Sequence, residues 1–288
     1  MITSSLPLTR MRSSASTSST KWFILQCPSS FSHPSTLEQA DTGSWTRLPV
    51  VVATSEPKNC SKLTKKGIWL RDVRQAAGGA SNTWIGTDIE DSYFPKETPN
   101  DTSYHHQSMT EPWPLQWQGT FDLVHSRMAL PGVGLSSLAD AVMNLVKLVK
   151  PGGWIQLVEM QWQDWDAGPV LQEFQQTMRQ LVGMVTNGQG VDMRKSLTAL
   201  FEKAGLTKIQ HAIIDVPVGF KAKDDVRELS LQSMFATASF ATATLKTLQP
   251  VELEADIDSL PARLVGELRK TGGSYKLFAV WAQKPEFC

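Results

Sequence analysis

The chain has 288 residues, enough for one large α/β domain with an added lid or tail. Its 28 basic and 28 acidic residues balance, so it lacks the basic surplus of nucleic-acid-binding proteins, and no nucleic-acid partner is expected. No apolar run reaches the roughly 18 residues that a membrane span needs. The three cysteines are odd in number and far apart, which argues against a disulfide framework or a zinc site.

Residues 1–62 are rich in Ser, Thr and Pro and show no sustained period, which predicts a poorly ordered or atypical leader. The first 37 residues contain three basic residues and no acid, a composition that resembles an organelle transit peptide. A disordered leader or a wrongly joined coding sequence would look the same. We expect a cytoplasmic location, with organelle targeting through this segment as the alternative.

From Lys66 onward the chain alternates between short apolar segments and amphipathic segments. Strands are predicted at 48–53, 84–89, 103–106, 121–126, 154–159, 208–218 and 275–283. Helices are predicted at the opening of 67–73, at 135–149, at 169–185, at 193–204 and over much of 224–271, with Pro250 and Pro261 as breaks.

The helix predicted at 135–149 illustrates the pattern that these assignments use. Its apolar residues recur at helical spacing, at Leu138, Val142, Leu145, Val146 and Val149. Ser137 precedes them as a candidate N-cap, with Asp140 three residues later. A Lys-Pro-Gly-Gly turn then stops the helix before the next strand.

Alternating helices and strands predict an α/β fold, a mostly parallel sheet with helices on both faces. The last two strands form the natural antiparallel pair, so the last strand is expected to be antiparallel. We place the domain at 63–288, and the helical segment at about 224–271 forms either a lid over a substrate or a decoration of the fold.

Five short motifs in this order carry a resemblance to a known family. They are Gly67-Ile68-Trp69-Leu70, the Asp88 acid in Gly-Thr-Asp-Ile, and the segments 107–113, 121–127 and 148–154. Together they make residues 66–284 resemble a class I S-adenosylmethionine (SAM)-dependent methyltransferase, which has a Rossmann-like sheet. The resemblance is greatest to fungal enzymes associated with secondary-metabolite gene clusters.

The resemblance implies SAM as the cofactor and a small-molecule acceptor, with O- or N-methylation in secondary-metabolite biosynthesis. It implies a ribose-binding role for Asp88 and a position near the adenine for Ser108 and Met109. The full set of cofactor-binding residues that it implies is Gly67, Asp88, Ile89, Ser108, Met109 and His125.

The sequence departs from the family pattern just before Gly67. The family has an acid and further glycines there, whereas residues 59–66 contain neither. Those glycines allow a tight strand-to-helix turn and a close approach of the cofactor to the backbone. The departure leaves open a catalytically inactive methyltransferase-like partner or regulatory protein, or a coding sequence altered upstream of Gly67.

His125 is the candidate catalytic residue because it lies near the carboxyl end of a predicted strand, where open α/β sheets bind ligands. A histidine there could take the proton of an attacking hydroxyl, line the cofactor pocket, or be structural. The adjacent pair His105 and His106 lacks a third ligand at a telling spacing, so no metal site is predicted. The tryptophans at 113, 117, 162 and 165 form either an aromatic wall for an apolar acceptor or ordinary core packing.

Overall fold

The computed structural model describes residues 49–54, 69–70, 73–74, 82–248 and 257–286. Gly67, Pro250 and residues 1–48 therefore lie outside the described residues. Within that part of the chain, no helix combines the length and apolarity that crossing a membrane requires.

The described strands form one sheet in the order β3-β2-β1-β4-β5-β7-β6. Their bounds are β1 Pro49–Thr54, β2 Thr83–Asp88, β3 Thr102–His106, β4 Phe121–Arg127, β5 Val149–Asp166, β6 Thr207–Val218 and β7 Gly273–Gln283. The pairs among β1 to β5 are parallel, and β7 runs antiparallel to both β5 and β6. The predicted parallel sheet with an antiparallel last strand is confirmed.

The strand β1 is an interior strand of the sheet, between β2 and β4. Val51 pairs with Ile85 of β2 on one side and with Val124 of β4 on the other. A run of β-branched residues suits a central parallel strand, and a proline is tolerated at the first position of a strand. This strand lies upstream of residue 62, so the sheet extends into the segment whose composition predicts a leader.

Five helices are described outside the opening at residues 69–74. They are α1 Leu138–Leu148, α2 Pro169–Val185, α3 Met193–Lys203, α4 Arg227–Leu248 and α5 Leu260–Lys270. The N-cap predicted for α1 is present, since the Asp140 amide donates to Ser137 Oγ at 3.1 Å. Pro261 was predicted to interrupt a helix, but it does not. It lies in the first turn of α5, where its missing N–H would have no helical partner.

The main core lies between one face of the sheet and the helices α1 and α3. Phe121 and Ile155 of the sheet pack there with Leu145 of α1 and Phe201 of α3. On the opposite face, Trp69 and Leu70 pack against Trp84 of β2. Both faces of the sheet are therefore covered, as two-sided parallel sheets require.

A second helical layer, formed by α2, α4 and α5, lies beyond one edge of the sheet. Its apolar cluster joins Phe174 of α2, Leu231 of α4 and Leu264 of α5 to Val218 at the end of β6. Tyr275, near the start of the antiparallel β7, packs on the same cluster. We call this layer the helical cap; it sits at the edge where the parallel strands end.

Candidate functional site

The order of the strands defines where a ligand crevice should lie. From β1 the chain moves outward through β2 and β3, and it then returns to place β4 and β5 on the other side of β1. Ligands of open α/β sheets bind beyond the carboxyl ends of the strands at such a reversal. The candidate site is therefore the edge formed by the ends of β1, β2 and β4.

Asp88 and Ile89 lie at this edge. Asp88 is the last residue of β2 and is half-buried, and its Oδ1 accepts a hydrogen bond from the Glu90 amide at 3.0 Å. Ile89 follows with 56% of its surface exposed, which is unusual for a large apolar side chain next to a buried strand. The edge thus presents an acid and an uncovered apolar side chain side by side.

The segment that begins at Gln107 joins the same edge. The Gln107 amide donates to the Asp88 carbonyl at 2.9 Å, so the loops after β2 and β3 are tied together. Ser108 is half-buried, with its hydroxyl 2.8 Å from Thr110 Oγ1, whereas Met109 packs into the main core. The structure therefore brings Ser108 and Met109 close in the fold to Asp88.

A stacked pair of rings joins β4 to the helical residues at Trp69. The rings of Trp69 and His125 lie 3.7 Å apart at an angle of 3°. Trp69 is buried, and it follows Gly67 by two positions in the sequence. The segment that the sequence assigns to the cofactor loop is thereby held against the carboxyl end of β4.

His125 is fully buried, and its environment keeps it neutral. Its Nδ1–H donates to Oε1 of Gln156, its direct neighbour on β5, at 2.9 Å. Burial, followed by the positive charge of Arg127, lowers the pKa of His125 to about 3, against the opposing effect of Gln156. Among the described residues Nε2 has no hydrogen-bond partner. A histidine with so low a pKa is a weak base, so the base role stays a prediction that this environment does not favour.

The sequence analysis did not single out Glu159. This side chain is fully buried, and its Oε1 accepts hydrogen bonds from the amides of Ala129 and Leu130 at 3.1 and 3.0 Å. Burial raises its pKa to about 8, although the two amides oppose the shift. A signal was available, because Glu159 is an acid that follows the apolar pair Leu157 and Val158, although in the structure it lies inside β5 and not at its end.

The tryptophans of the predicted aromatic wall belong largely to packing. Trp113 and Trp162 are buried, and Trp117 meets Phe121 edge to face at 6.0 Å. Trp165 stacks near Trp162 and packs against the helical cap. In the described part of the chain, no group of three or more His, Cys, Asp or Glu side chains is placed to hold a metal ion.

The strand order, the antiparallel β7 and the acid at the end of β2 define the class of protein: a Rossmann-like fold of the methyltransferase type. No family model matches the chain. Several curated fungal proteins are similar to the chain in sequence. The chain is 31% identical over 250 residues to methyltransferase psoC of Aspergillus fumigatus, covering 86% of this chain and 90% of that protein. It is 30% identical over 263 residues to N-methyltransferase sirN of Leptosphaeria maculans, covering 86% and 88%.

The chain therefore belongs to the methyltransferase family of these fungal relatives, and the resemblance that the sequence motifs carry is confirmed. Among solved structures, it is similar to phosphoethanolamine N-methyltransferase 2 of Haemonchus contortus in complex with SAM. That likeness has 13% identity and a TM-score of 0.43, and covers 84% of this chain. This chain spans 50% of the length of that protein, and so remote a likeness carries no argument.

Proposed function

We propose that this chain transfers a methyl group from SAM to a small-molecule acceptor in secondary-metabolite biosynthesis. The observation that carries the proposal is the meeting of Asp88, the loop at Gln107 and the Trp69–His125 stack at one edge of a sheet of this class. Family membership over most of the chain supports the reaction type.

The residues at this edge suit the cofactor that the family resemblance implies. A half-buried acid such as Asp88 can accept hydrogen bonds from the ribose hydroxyls. The exposed Ile89 offers an apolar surface that an adenine ring would cover. Ser108 and Met109 would lie near the adenine, and Gly67 would let the cofactor approach the backbone.

When bound, SAM supplies a methyl group attached to a positively charged sulfur. The methyl group would pass to a nucleophilic atom of the acceptor, and the electron pair of the broken carbon–sulfur bond would remain on the sulfur. The contribution of this chain is to hold the acceptor in line with that bond, from which most of the acceleration would arise. The acceptor must also lose a proton, and His125, which is buried and has a pKa of about 3, is a weak base for that step.

We favour nitrogen over oxygen as the methylated atom. Four relatives of the chain carry the name N-methyltransferase: sirN, gliN, verN and tcpN. The helical cap provides a place for the acceptor, because it lies at the edge where the strands end. We therefore propose the segment 224–271 as the lid of the acceptor pocket. A variant that lacks this segment and is otherwise unchanged tests the lid proposal. The proposal requires that this variant no longer turns over the acceptor but still binds SAM.

An inactive methyltransferase-like partner remains the second candidate. The observation that favours it is the absence of an acid and of glycines from residues 59–66. Without those glycines, the backbone near Gly67 would have to hold the methionine end of SAM in a way that the family pattern does not use.

Calorimetric titration of the purified full chain with SAM separates the two candidates. We expect binding in the micromolar range, and replacing Asp88 by Ala should weaken it by roughly tenfold or more, since hydrogen bonds to a charged group are lost. Asp91→Ala is the matched control, because Asp91 is exposed in the next turn and should leave the affinity unchanged.

Two results would count against the proposal. A folded wild-type chain that does not bind SAM would exclude the enzyme and leave the inactive partner. If SAM binds and Asp88→Ala has the affinity of Asp91→Ala, the cofactor is not held at the end of β2.

A further inference from the structure

The turn that leaves β4 forms one side of the proposed crevice. It begins at Met128, whose φ of +55° reverses the chain, and it continues through the short 3-10 helix Leu130–Val133. The Met128 amide donates to the Val158 carbonyl of β5 at 2.8 Å. Leu130 and Val133 are buried in the main core, so the turn is packed as well as hydrogen-bonded.

The first amides of this turn need a partner from outside it. Ala129 and Leu130 stand at the start of the 3-10 helix, where N–H groups have no acceptor within the helix. Both donate instead to one oxygen, Glu159 Oε1, at 3.1 and 3.0 Å. Buried amides left without an acceptor would each cost about 1–3 kcal/mol.

Glu159 makes this contact from an enclosed position. The residue is fully buried, and within the described residues its second oxygen, Oε2, has no hydrogen-bond partner. Burial raises the pKa of Glu159 against the opposing effect of the two amides, and no charged side chain contributes to the shift. A buried carboxyl without a cation is expected to be neutral at pH 7.

We propose that Glu159 is a positioning residue that fastens the turn 128–134 to β5 and so fixes one wall of the crevice. The inference rests on the proposed function for the crevice itself. The neutral carboxyl carries out this role through its carbonyl-type oxygen, so an amide of the same shape should replace it, whereas an apolar side chain of similar size should not.

Hydrogen–deuterium exchange of the full chain, read by mass spectrometry, tests the contact without any knowledge of the acceptor. In Glu159→Leu, the amides of Ala129 and Leu130 should exchange about tenfold faster or more, because two hydrogen bonds are lost. In Glu159→Gln they should exchange at the wild-type rate at pH 7. The amides of Ala279 and Val280, buried in β7, report whether the variant is folded.

The pH dependence separates positioning by a neutral carboxyl from simple space filling. Above pH 8 the wild-type carboxyl should ionise, and water must enter to solvate it, which opens the turn. The exchange rate of the wild type relative to Glu159→Gln should therefore be constant below that pH and rise above it. This ratio remains measurable even if Glu159→Leu exchanges in β7 as well and has thus failed to fold.

Calorimetry with SAM links the turn to the crevice. We expect Glu159→Gln to bind within twofold of the wild type, and Glu159→Leu to bind several-fold more weakly. Equal exchange in all three proteins, or loss of protection in Glu159→Gln, would overturn the positioning role. Faster exchange in a folded Glu159→Leu with unchanged SAM affinity would overturn the link to the crevice. A wild type that does not bind SAM refutes the proposed function instead, and the exchange results still decide the contact.

Discussion

Two fully buried titratable side chains, His125 and Glu159, lie on neighbouring strands and face opposite sides of the sheet. Both are neutral at pH 7, yet their pKa values move in opposite directions, to about 3 for the histidine and to about 8 for the acid. Side chains hold His125, through the Gln156 amide and the Trp69 ring, whereas backbone amides hold Glu159.

The difference shows how one physical effect gives two kinds of support. Burial disfavours the charged form of either group, whatever its sign. The partner then depends on the face of the sheet, because successive residues of a strand point to opposite sides. His125 meets the residues at Trp69, and Glu159 meets the turn after β4. Each group therefore secures a different side of the proposed crevice.

In the wild type, the Glu159 carboxyl should make stability fall as the pH rises. Replacing Glu159 by Gln should remove this fall. In the wild type the folded state keeps its proton up to about pH 8, while the unfolded state loses it near 4.5. The contribution of Glu159 to the free energy of unfolding is therefore largest below pH 4.5. It declines as the pH rises to 8, by roughly 4 to 5 kcal/mol for a shift of this size. Denaturant unfolding at a series of pH values, with the variant subtracted from the wild type, isolates this contribution.

A flat difference between the two proteins from pH 4.5 to 8 would contradict the neutral state of Glu159 in the fold. The control is Glu111→Gln, which removes one carboxyl from the exposed surface.

Replacing His125 by Phe should remove a slope of the opposite sign. The unfolded state takes up a proton near pH 6.5, while the folded state resists until about 3. The contribution of neutral His125 to stability is therefore fully present above pH 6.5 and is lost as the pH falls toward 3, by roughly 4 to 5 kcal/mol in all. The ring of phenylalanine can keep the stack on Trp69. The cost of the lost Gln156 hydrogen bond does not depend on pH, so it cancels in the slope.

Unfolding measurements between pH 4.5 and 7 cover enough of this window to decide the matter. If wild type and His125→Phe lose stability in parallel as the pH falls, then His125 is protonated in the folded state and the base role regains support.

Removing the ring that covers His125 should destabilise the protein at every pH and affect the same face of the sheet. Trp69 is 7% exposed, and truncating a buried tryptophan to Ala costs about 3 to 5 kcal/mol at any pH. Water would then reach His125, so its pKa should rise and the acid-side slope should shrink. Trp69→Phe, which retains a ring, should lose less than half as much stability. Equal losses in the two variants would show that a phenyl ring at this position does not stabilise the protein through contact with His125.

Local sequence patterns predicted the regular elements well. The apolar stripe at 169–185 gives the bounds of α2 as the structure has them, and a buried run ending in an acid located Asp88 at the end of β2. These features depend on residues that are close in the sequence, so periodicity and spacing are enough to find them.

Contacts between distant residues were beyond the same reasoning. The Trp69–His125 stack joins segments that no sequence period connects. Glu159 lies inside β5, and its partners are backbone amides of a turn, which no side-chain pattern reveals. Whether such an acid faces a crevice or a buried turn depends on the fold around it, and that is why the sequence found the first acid and missed the second.

The smallest expected effect concerns Ser126, which lies next to His125 on β4 but faces the Glu159 side of the sheet. Its hydroxyl is fully buried and has no hydrogen-bond partner among the described residues. Replacing it by Ala removes a polar group that gains nothing from burial, so we expect stability to stay the same or to rise by about 0.5 kcal/mol.

Ser137→Ala is the matched control, because Ser137 caps α1 and its loss should cost about 1 kcal/mol. Denaturant unfolding of both variants compares the two serines directly. A loss in Ser126→Ala as large as that in Ser137→Ala would mean that Ser126 has a polar partner. The Glu159 side would then be held by side chains as well as by backbone amides, and the contrast with the His125 side would be weaker.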